Sequence, residues 1–70
     1  MPMIFQIEVE VEADGRWIAE VLELPGVLSY GSTEGEAVSR AKALALRTVA
    51  DRLEHGEAAS NLVEIGFRAA

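Results

Sequence analysis

The chain has 70 residues, half of them hydrophobic, a formal net charge of −6 and no cysteine. This length allows one small domain, the apolar content excludes a disordered chain, and the lack of cysteine excludes disulfide bonds and thiolate metal sites. No apolar run reaches the roughly 18 residues of a membrane span, and no signal peptide pattern opens the chain. We therefore expect a cytoplasmic protein that makes no membrane contact.

The negative charge is concentrated in the first half of the chain. Residues 1–36 carry eight acids and one base, whereas residues 37–70 carry four acids and five bases. A surface built from the first half would repel the phosphates of a nucleic acid and attract a basic protein. The alternative is that the acids only keep a small domain in solution.

Residues 3–12 show a strong strand signal. Apolar side chains alternate with polar ones at a period of two, which predicts a strand with one buried face and one acidic face. After turn residues at 13–16, a second alternating run over residues 17–22 predicts a strand that folds back on the first. The expected buried side chains are Met3, Phe5, Ile7, Val9 and Val11 in the first strand and Trp17, Ala19 and Val21 in the second.

The loop between these strands decides which residues face each other. An even-numbered loop would mix the apolar and acidic faces, whereas a loop of three or five residues keeps them apart. In the register that we expect, Val9 lies opposite Val21 and Glu10 lies opposite Glu20. Because opposed like charges are destabilising, either solvent screens the carboxylates on the outer face or a positively charged partner covers them. The candidate partner-binding acids are Glu8, Glu10, Glu12 and Glu20.

The segment 24–37 predicts a turn, a short strand and the start of a helix. Pro25-Gly26 suits the centre of a type II turn, because Pro fixes its own φ and Gly permits a positive φ. Residues 27–30 then form a short strand. Thr33 and Glu36 form a capping box, in which the Thr33 hydroxyl accepts from the Glu36 amide and the Glu36 carboxylate accepts from the Thr33 amide.

The helix is expected to run from Glu34 to Leu53 or Glu54, with Gly56 near its end as the C-cap. Gly35 in the first turn lowers helix stability, and a close approach of the backbone is the reason we consider for it. Apolar residues at helical spacing predict the stripe that covers the sheet. This stripe consists of Ala37, Val38, Ala41, Leu44, Ala45, Thr48 and Val49.

A second stripe on the helix points away from the sheet. It contains two leucines, Leu46 and Leu53, with Ala43 and Ala50 beside them. These leucines would be exposed in a monomer, which favours a helix–helix or helix–partner contact and a homodimer or higher oligomer. Two ordinary surface leucines are the alternative.

A fourth strand is expected over residues 62–68, after a linker at 57–60. A right-handed crossover would place this strand parallel to the first strand and beside it. The predicted fold is therefore α+β, a βββαβ two-layer sandwich whose four-stranded sheet has the order 3-2-1-4 with one helix on one face. We expect residues 1–70 to form this single domain, with no C-terminal DNA-binding domain.

Three short motifs occur together in the first half of the chain. They are Asp14-Gly15-x-Trp17-x-Ala19, then Glu23-Leu24-Pro25-Gly26, then Gly31-x-Thr33-x-x-Glu36-Ala37. In combination they resemble the N-terminal domain of the HicB-like antitoxin family over residues 3 to about 55. The resemblance implies a degraded ribonuclease-H-like domain that binds and neutralises a small toxin that cleaves messenger RNA. It implies no catalytic residues.

The chain departs from the family pattern at three places. Leu22 stands where the family often has proline, and Gly35 stands where it often has an acidic or polar residue. No helix-turn-helix or ribbon-helix-helix segment follows the fourth strand, so we do not expect the repressor role of longer family members. The resemblance assigns no toxin-contact residues, and the motif residues are interpreted as the turn and the cap that form the fold.

Three classes of function can be compared on these residues. The first is the antitoxin-like binding module, whose acidic surface would bind a small basic toxin by protein–protein contact. The second is a nuclease, but the acids at 8, 10 and 12 lie on the outer face and the single His55 at the helix end is typical of a residue that stabilises a helix C-terminus. We therefore expect no enzyme activity, no metal site and no cofactor. The third is a non-catalytic homo-oligomeric structural or regulatory domain whose partner is unknown.

Overall fold

The computed structural model describes residues 2–57 and 64–70. The strands are β1 (Pro2–Val11), β2 (Trp17–Val21), β3 (Leu28–Gly31) and β4 (Glu64–Ala69), and the helix α1 (Glu34–Glu54) lies between β3 and β4 in the chain. The sheet order is β3-β2-β1-β4. β1 pairs antiparallel with β2 and parallel with β4, and β2 pairs antiparallel with β3. The predicted α+β fold and strand order are confirmed.

The core lies between α1 and one face of the sheet, called here the core face. Every second residue of β1 and β2 points into it, as the alternating pattern predicts. The helix contributes small side chains, so its backbone can lie close to the sheet. The buried residues are Phe5, Ile7, Ala19, Val21, Leu24, Val27, Ala37, Ala41, Ala45 and Val49, with Met3, Val9, Trp17, Val38, Leu44 and Phe67 partly buried against them.

The loop between β1 and β2 has the expected odd length, but the predicted register is wrong by two residues. Val9 faces Ala19, and Glu8 rather than Glu10 faces Glu20. The difference arises because residues 12–16 form the loop, closed by a 2.7 Å hydrogen bond from the Glu12 amide to the Arg16 carbonyl. A shift of two residues leaves every side chain on its expected face.

The turn before β3 and the start of α1 follow the sequence closely, with one exception. Gly26 has a φ of 83°, and the Val27 amide donates to the Leu24 carbonyl at 3.0 Å, as in a type II turn. The Thr33 hydroxyl accepts from the Glu36 amide at 3.1 Å, which confirms half of the capping box. The Glu36 carboxylate, however, accepts from the Ser32 amide at 3.0 Å and not from that of Thr33.

The helix ends at Glu54 as predicted, but its C-cap residue is His55 and not Gly56. Gly56 follows it with a φ of 70°. The Glu57 amide donates to the Arg52 carbonyl at 2.7 Å and the Gly56 amide donates to the Leu53 carbonyl at 3.3 Å, which is the Schellman pattern. Of the predicted linker at 57–60 and fourth strand at 62–68, residues 58–60 and 62–63 lie outside the described residues. None of the helices in the described part of the chain is long and apolar enough to cross a membrane.

The close approach that we considered for Gly35 occurs elsewhere. A Cβ atom added to Gly35 would have no neighbour within 4 Å, whereas one added to Gly31 would lie 2.5 Å from the Ala37 backbone nitrogen. Gly31 is buried at the end of β3, directly under the first turn of α1. The first turn of the helix therefore rests on a glycine of the sheet.

Candidate functional site: the open face of the sheet

The face of the sheet opposite α1 is the candidate site, and we call it the open face. In residues 2–57 and 64–70, no helix covers it. Its side chains come from the strand positions that alternate with those of the core face. They are Ile4, Gln6, Glu8 and Glu10 in β1, Ile18 and Glu20 in β2, Leu28 and Tyr30 in β3, and Glu64, Gly66 and Arg68 in β4.

Three of the four predicted acids lie together on the open face. Glu8 and Glu20 face each other across β1 and β2, and Glu10 is the next residue of β1 on the same face. All three are exposed. Glu12 is half-buried and begins the loop after β1, so it stands at the border of this group. Directly opposed carboxylates repel each other, and a cationic group placed over Glu8 and Glu20 would relieve that repulsion.

The open face also has an apolar half that the sequence reasoning missed. The register of β3 on β2 places Leu28 beside Glu20 and Tyr30 beside Ile18. Leu28 and Tyr30 are 36% and 38% exposed, and Ile4 at the other side of the face is 41% exposed. Alternation within β3 predicts that Leu28 and Tyr30 share one face. Which face this is depends on the length of the turn between β2 and β3, which the sequence pattern does not give.

Arg16 joins the loop between β1 and β2 to the apolar half. Its guanidinium carbon lies 4.5 Å from the centre of the Tyr30 ring, a cation–π distance. Its Nε atom donates to Asp14 Oδ2 at 2.8 Å, while its amide donates to Asp14 Oδ1 at 3.1 Å. The hydrogen bond from the Arg16 amide, followed by that from the Arg16 side chain, lowers the pKa of Asp14 below the usual value, although burial opposes the shift.

The motif residues that carry the family resemblance have structural roles. Glu23 Oε1 accepts from the Gln6 amide at 2.8 Å, and the Leu22 amide donates to the Gln6 carbonyl at 3.0 Å, so the segment after β2 extends the ladder on β1. Thr33 and Glu36 cap the helix, and Gly31, which has no side chain, lets the first turn of the helix pack closely on β3. This agrees with the interpretation of these motifs as fold-forming turns and caps.

The two predicted partner-binding leucines lie on the other side of the molecule. Leu46 and Leu53 are on α1, 45% and 44% exposed, and α1 covers the core face. The structure thus brings together the acids of β1 and β2 but separates them from the leucines.

A groove lies between α1 and β4, because α1 packs mainly over β2 and β3. Its volume is about 220 Å³, and Ile7, Val38 and Phe67 form its apolar lining. Lys42 is at its rim, with Nζ 5.7 Å from the centre of the Phe67 ring. The groove shows that the helix flank carrying Lys42 faces β4.

His55 lies in a small polar cluster at the end of α1. Possible ligand atoms of Asp51, His55 and Glu57 are within 4.8 Å of one another, and all three residues are exposed. His55 Nδ1 is 2.8 Å from the Asp51 carbonyl oxygen and 3.3 Å from Asp51 Oδ1. Together with the Schellman cap, these contacts place the cluster at the C-terminus of α1.

A comparison of the chain with protein-family models, with curated proteins and with solved structures finds no match.

Proposed function

We propose that the chain is an antitoxin-like binding module, similar to the N-terminal domain of the HicB-like family, that neutralises a small basic toxin that cleaves messenger RNA. The observation that carries the proposal is the open face, where exposed carboxylates on β1 and β2 border exposed apolar side chains on β3. Both components are what a docking surface for a basic protein requires. Such a toxin acts on cytoplasmic RNA, which places the proposed complex in the cytoplasm.

Charge gives the reason for a basic partner. A ribonuclease that binds RNA carries a positive surface to hold phosphates. Glu8 and Glu20 are directly opposed, and neutralisation by a lysine or arginine of the partner would remove their mutual repulsion. A partner bound in this way could not bind RNA with the same cations. Neutralisation would then result from competition for one basic surface.

The exposed apolar side chains of the open face, Leu28 and Tyr30, would make the complex long-lived, whereas charge alone would mainly make it form quickly. Charge complementarity mainly increases association rates, whereas buried aromatic and aliphatic side chains hold a complex together. Leu28 and Tyr30 are exposed in the same rows of the sheet as Glu20 and Ile18. A partner that covers both halves would bury apolar area next to its ion pairs.

The test is binding of the purified chain to the basic product of a small neighbouring gene, with affinity and association rate measured by surface plasmon resonance at several salt concentrations. We expect binding that weakens as salt rises, and a slower association for the double variant Glu8→Gln with Glu20→Gln. The matched control, Glu54→Gln with Glu57→Gln, changes net charge equally at the end of α1 and should bind like the unmodified chain. Absent binding, or binding that salt does not affect, would contradict the proposal.

The proposed module is not an enzyme. Its function is contact with a partner, and the acids on the open face are assigned to that contact. An RNA-cleavage assay with Mg²⁺ or Mn²⁺ tests this part of the proposal. We expect no cleavage above the buffer control, and cleavage that Glu8→Gln abolishes would instead assign the acids to a nuclease site.

A second candidate function is a non-catalytic homo-oligomeric structural or regulatory domain. It is favoured by Leu46 and Leu53, which are nearly half exposed on α1. A 70-residue domain buries a small core, and association of copies is one way to stabilise it. Light scattering measures the mass directly, and we expect a dimer or larger. If the leucines form the contact, Leu46→Glu will lower that mass.

A further inference from the structure

We infer that two copies of this chain pair through the free edge of β4, antiparallel about a two-fold axis at Gly66. The inference rests on the second candidate function, self-association, but it assigns the contact to a strand edge and not to the leucines of α1. The observations that carry it are the direction of the backbone groups of β4, the partly obstructed edge of β3 and the charge order along β4.

The backbone of β4 presents unpaired groups at the outer edge of the sheet. The Ala70 amide donates to the Ile7 carbonyl at 2.9 Å, so the even-numbered residues of this segment point their amides and carbonyls toward β1. Because these groups alternate along a strand, those of Ile65 and Phe67 point away from β1. Within the described residues they have no backbone partner.

The opposite edge of the sheet is less able to pair. β3 has four residues, and in its register on β2 the backbone groups of Leu28 and Tyr30 point outward. The Tyr30 carbonyl already accepts from Arg40 Nη1 at 3.0 Å, and this side chain stands across the edge. A charged side chain placed in this way discourages strand addition. Pairing of β4 with β3 of another copy would also form an open chain of molecules and not a closed dimer.

The sequence of β4 is complementary to itself in one antiparallel register. With the two-fold axis at Gly66, Glu64 of each copy lies opposite Arg68 of the other, and Ile65 lies opposite Phe67. An axis at Ile65 or at Phe67 would instead place Glu64 or Arg68 opposite Gly66. Only the axis at Gly66 pairs the two opposite charges, and a two-fold axis makes that pair twice.

The hydrogen-bond pattern agrees with the same register. Ile65 and Phe67 would exchange both of their backbone hydrogen bonds across the axis, since their groups point outward. Glu64 and Arg68 would then be non-hydrogen-bonded pairs, whose side chains approach more closely. Gly66 at the axis adds no side chain, and its place on the open face is taken by Ile4, whose Cδ1 would be 3.0 Å from an added Cβ.

Exposure of β4 is consistent with a contact at this edge. Glu64 and Arg68 are exposed, and Ile65 is 37% exposed although it lies on the core face. Ile65 would gain Phe67 of the second copy as a cross-strand neighbour. A single strand pair is a small interface, so we expect a weak dimer that must be studied at protein concentrations up to about 1 mM.

The test is a charge swap, followed by sedimentation equilibrium at low salt. Glu64→Arg alone and Arg68→Glu alone should each weaken the dimer about tenfold, because both ion pairs become repulsive. The double variant should restore the unmodified affinity. An equimolar mixture of the two single variants should form a heterodimer more readily than either variant forms a homodimer.

Matched controls separate this interface from the helix. Glu54→Arg and Arg47→Glu make the same charge changes on α1 and should leave the dimer unchanged, as should Leu46→Glu. Amide exchange at Ile65 and Phe67 should slow as concentration rises. A chain that stays monomeric up to 1 mM overturns the inference together with self-association. A dimer that Leu46→Glu dissolves, and that the charge swap does not affect, overturns the strand-edge contact alone.

Discussion

The backbone nitrogen of Ala37 lies so close to Gly31 that a Cβ atom on the glycine would be 2.5 Å away from it. The atoms around this point belong to the backbone of the first helical turn, at Glu36 and Ala37, and cannot move aside as a flexible side chain could. Gly31 therefore sets the distance between β3 and α1. The buried alanines of α1 need that short distance to fill the core.

Gly31→Ala should destabilise the domain by about 1–3 kcal/mol, the usual cost of forcing extra volume into a packed site. Gly35→Ala is the matched control, because an added Cβ there meets nothing within 4 Å. It should stabilise the helix by up to about 1 kcal/mol. Urea unfolding followed by circular dichroism measures both. Equal effects of the two substitutions would show that the close approach is not what constrains Gly31.

Thr33→Ala should cost about 1 kcal/mol of unfolding free energy, because the Glu36 amide loses the hydroxyl that caps it. Thr33→Ser keeps a hydroxyl at the same position and should retain most of the stability. Thermal unfolding of the two variants side by side gives the difference. If the serine variant were as unstable as the alanine variant, the lost methyl group and not the cap would be responsible.

Glu23→Ala should expose the Gln6 amide, which donates to Glu23 Oε1 at 2.8 Å. We expect faster hydrogen exchange at Gln6 and a loss of about 1 kcal/mol, a typical net value for one hydrogen bond. Glu20→Ala removes a neighbouring carboxylate that faces Glu8 and should leave exchange at Gln6 unchanged. Exchange followed by NMR distinguishes the two. An unchanged rate in Glu23→Ala would mean that this carboxylate does not protect the strand.

Asp14 should titrate below the usual aspartate pKa of about 3.9. Its lowered pKa means that its contribution to stability is present above that unfolded-state value and is lost as the pH falls through the folded-state pKa. NMR titration of the Asp14 side chain measures the pKa. Because the Arg16 amide is the main cause, Arg16→Gln should raise the pKa only in part. A full return to the usual aspartate pKa would assign the shift to the guanidinium.

The fold could be predicted because its signals are periodic. Alternation over residues 3–12 and 17–22 identifies the paired strands and their buried side chains except Val11, which is 59% exposed at the end of β1. The helical spacing from Ala37 to Val49 identifies the covering face. Turn and cap residues then give the order of the elements. Phe5, Val21 and Leu44 meet in the one core that these patterns predict.

Other features depend on distances that periodicity does not specify. A shift of two residues leaves alternation unchanged, so the pattern could not decide whether Glu8 or Glu10 faces Glu20. The close approach of the backbone occurs at Gly31 and not at Gly35, which depends on how α1 packs on β3 and cannot be read from the sequence pattern. The apolar half of the open face depends on the length of the turn before β3, which decides the side to which Leu28 and Tyr30 point.

The parallel pairing of β1 with β4 joins residues 2–7 to residues 64–69. During synthesis, β1 therefore leaves the ribosome before β4 has been made. During that interval β1 has a partner on one side only, and contacts so distant in sequence form slowly. We expect one edge of β1 to stay unpaired and prone to aggregation until β4 has been synthesised. The yield of folded protein in cells will then depend on how quickly β4 pairs with β1.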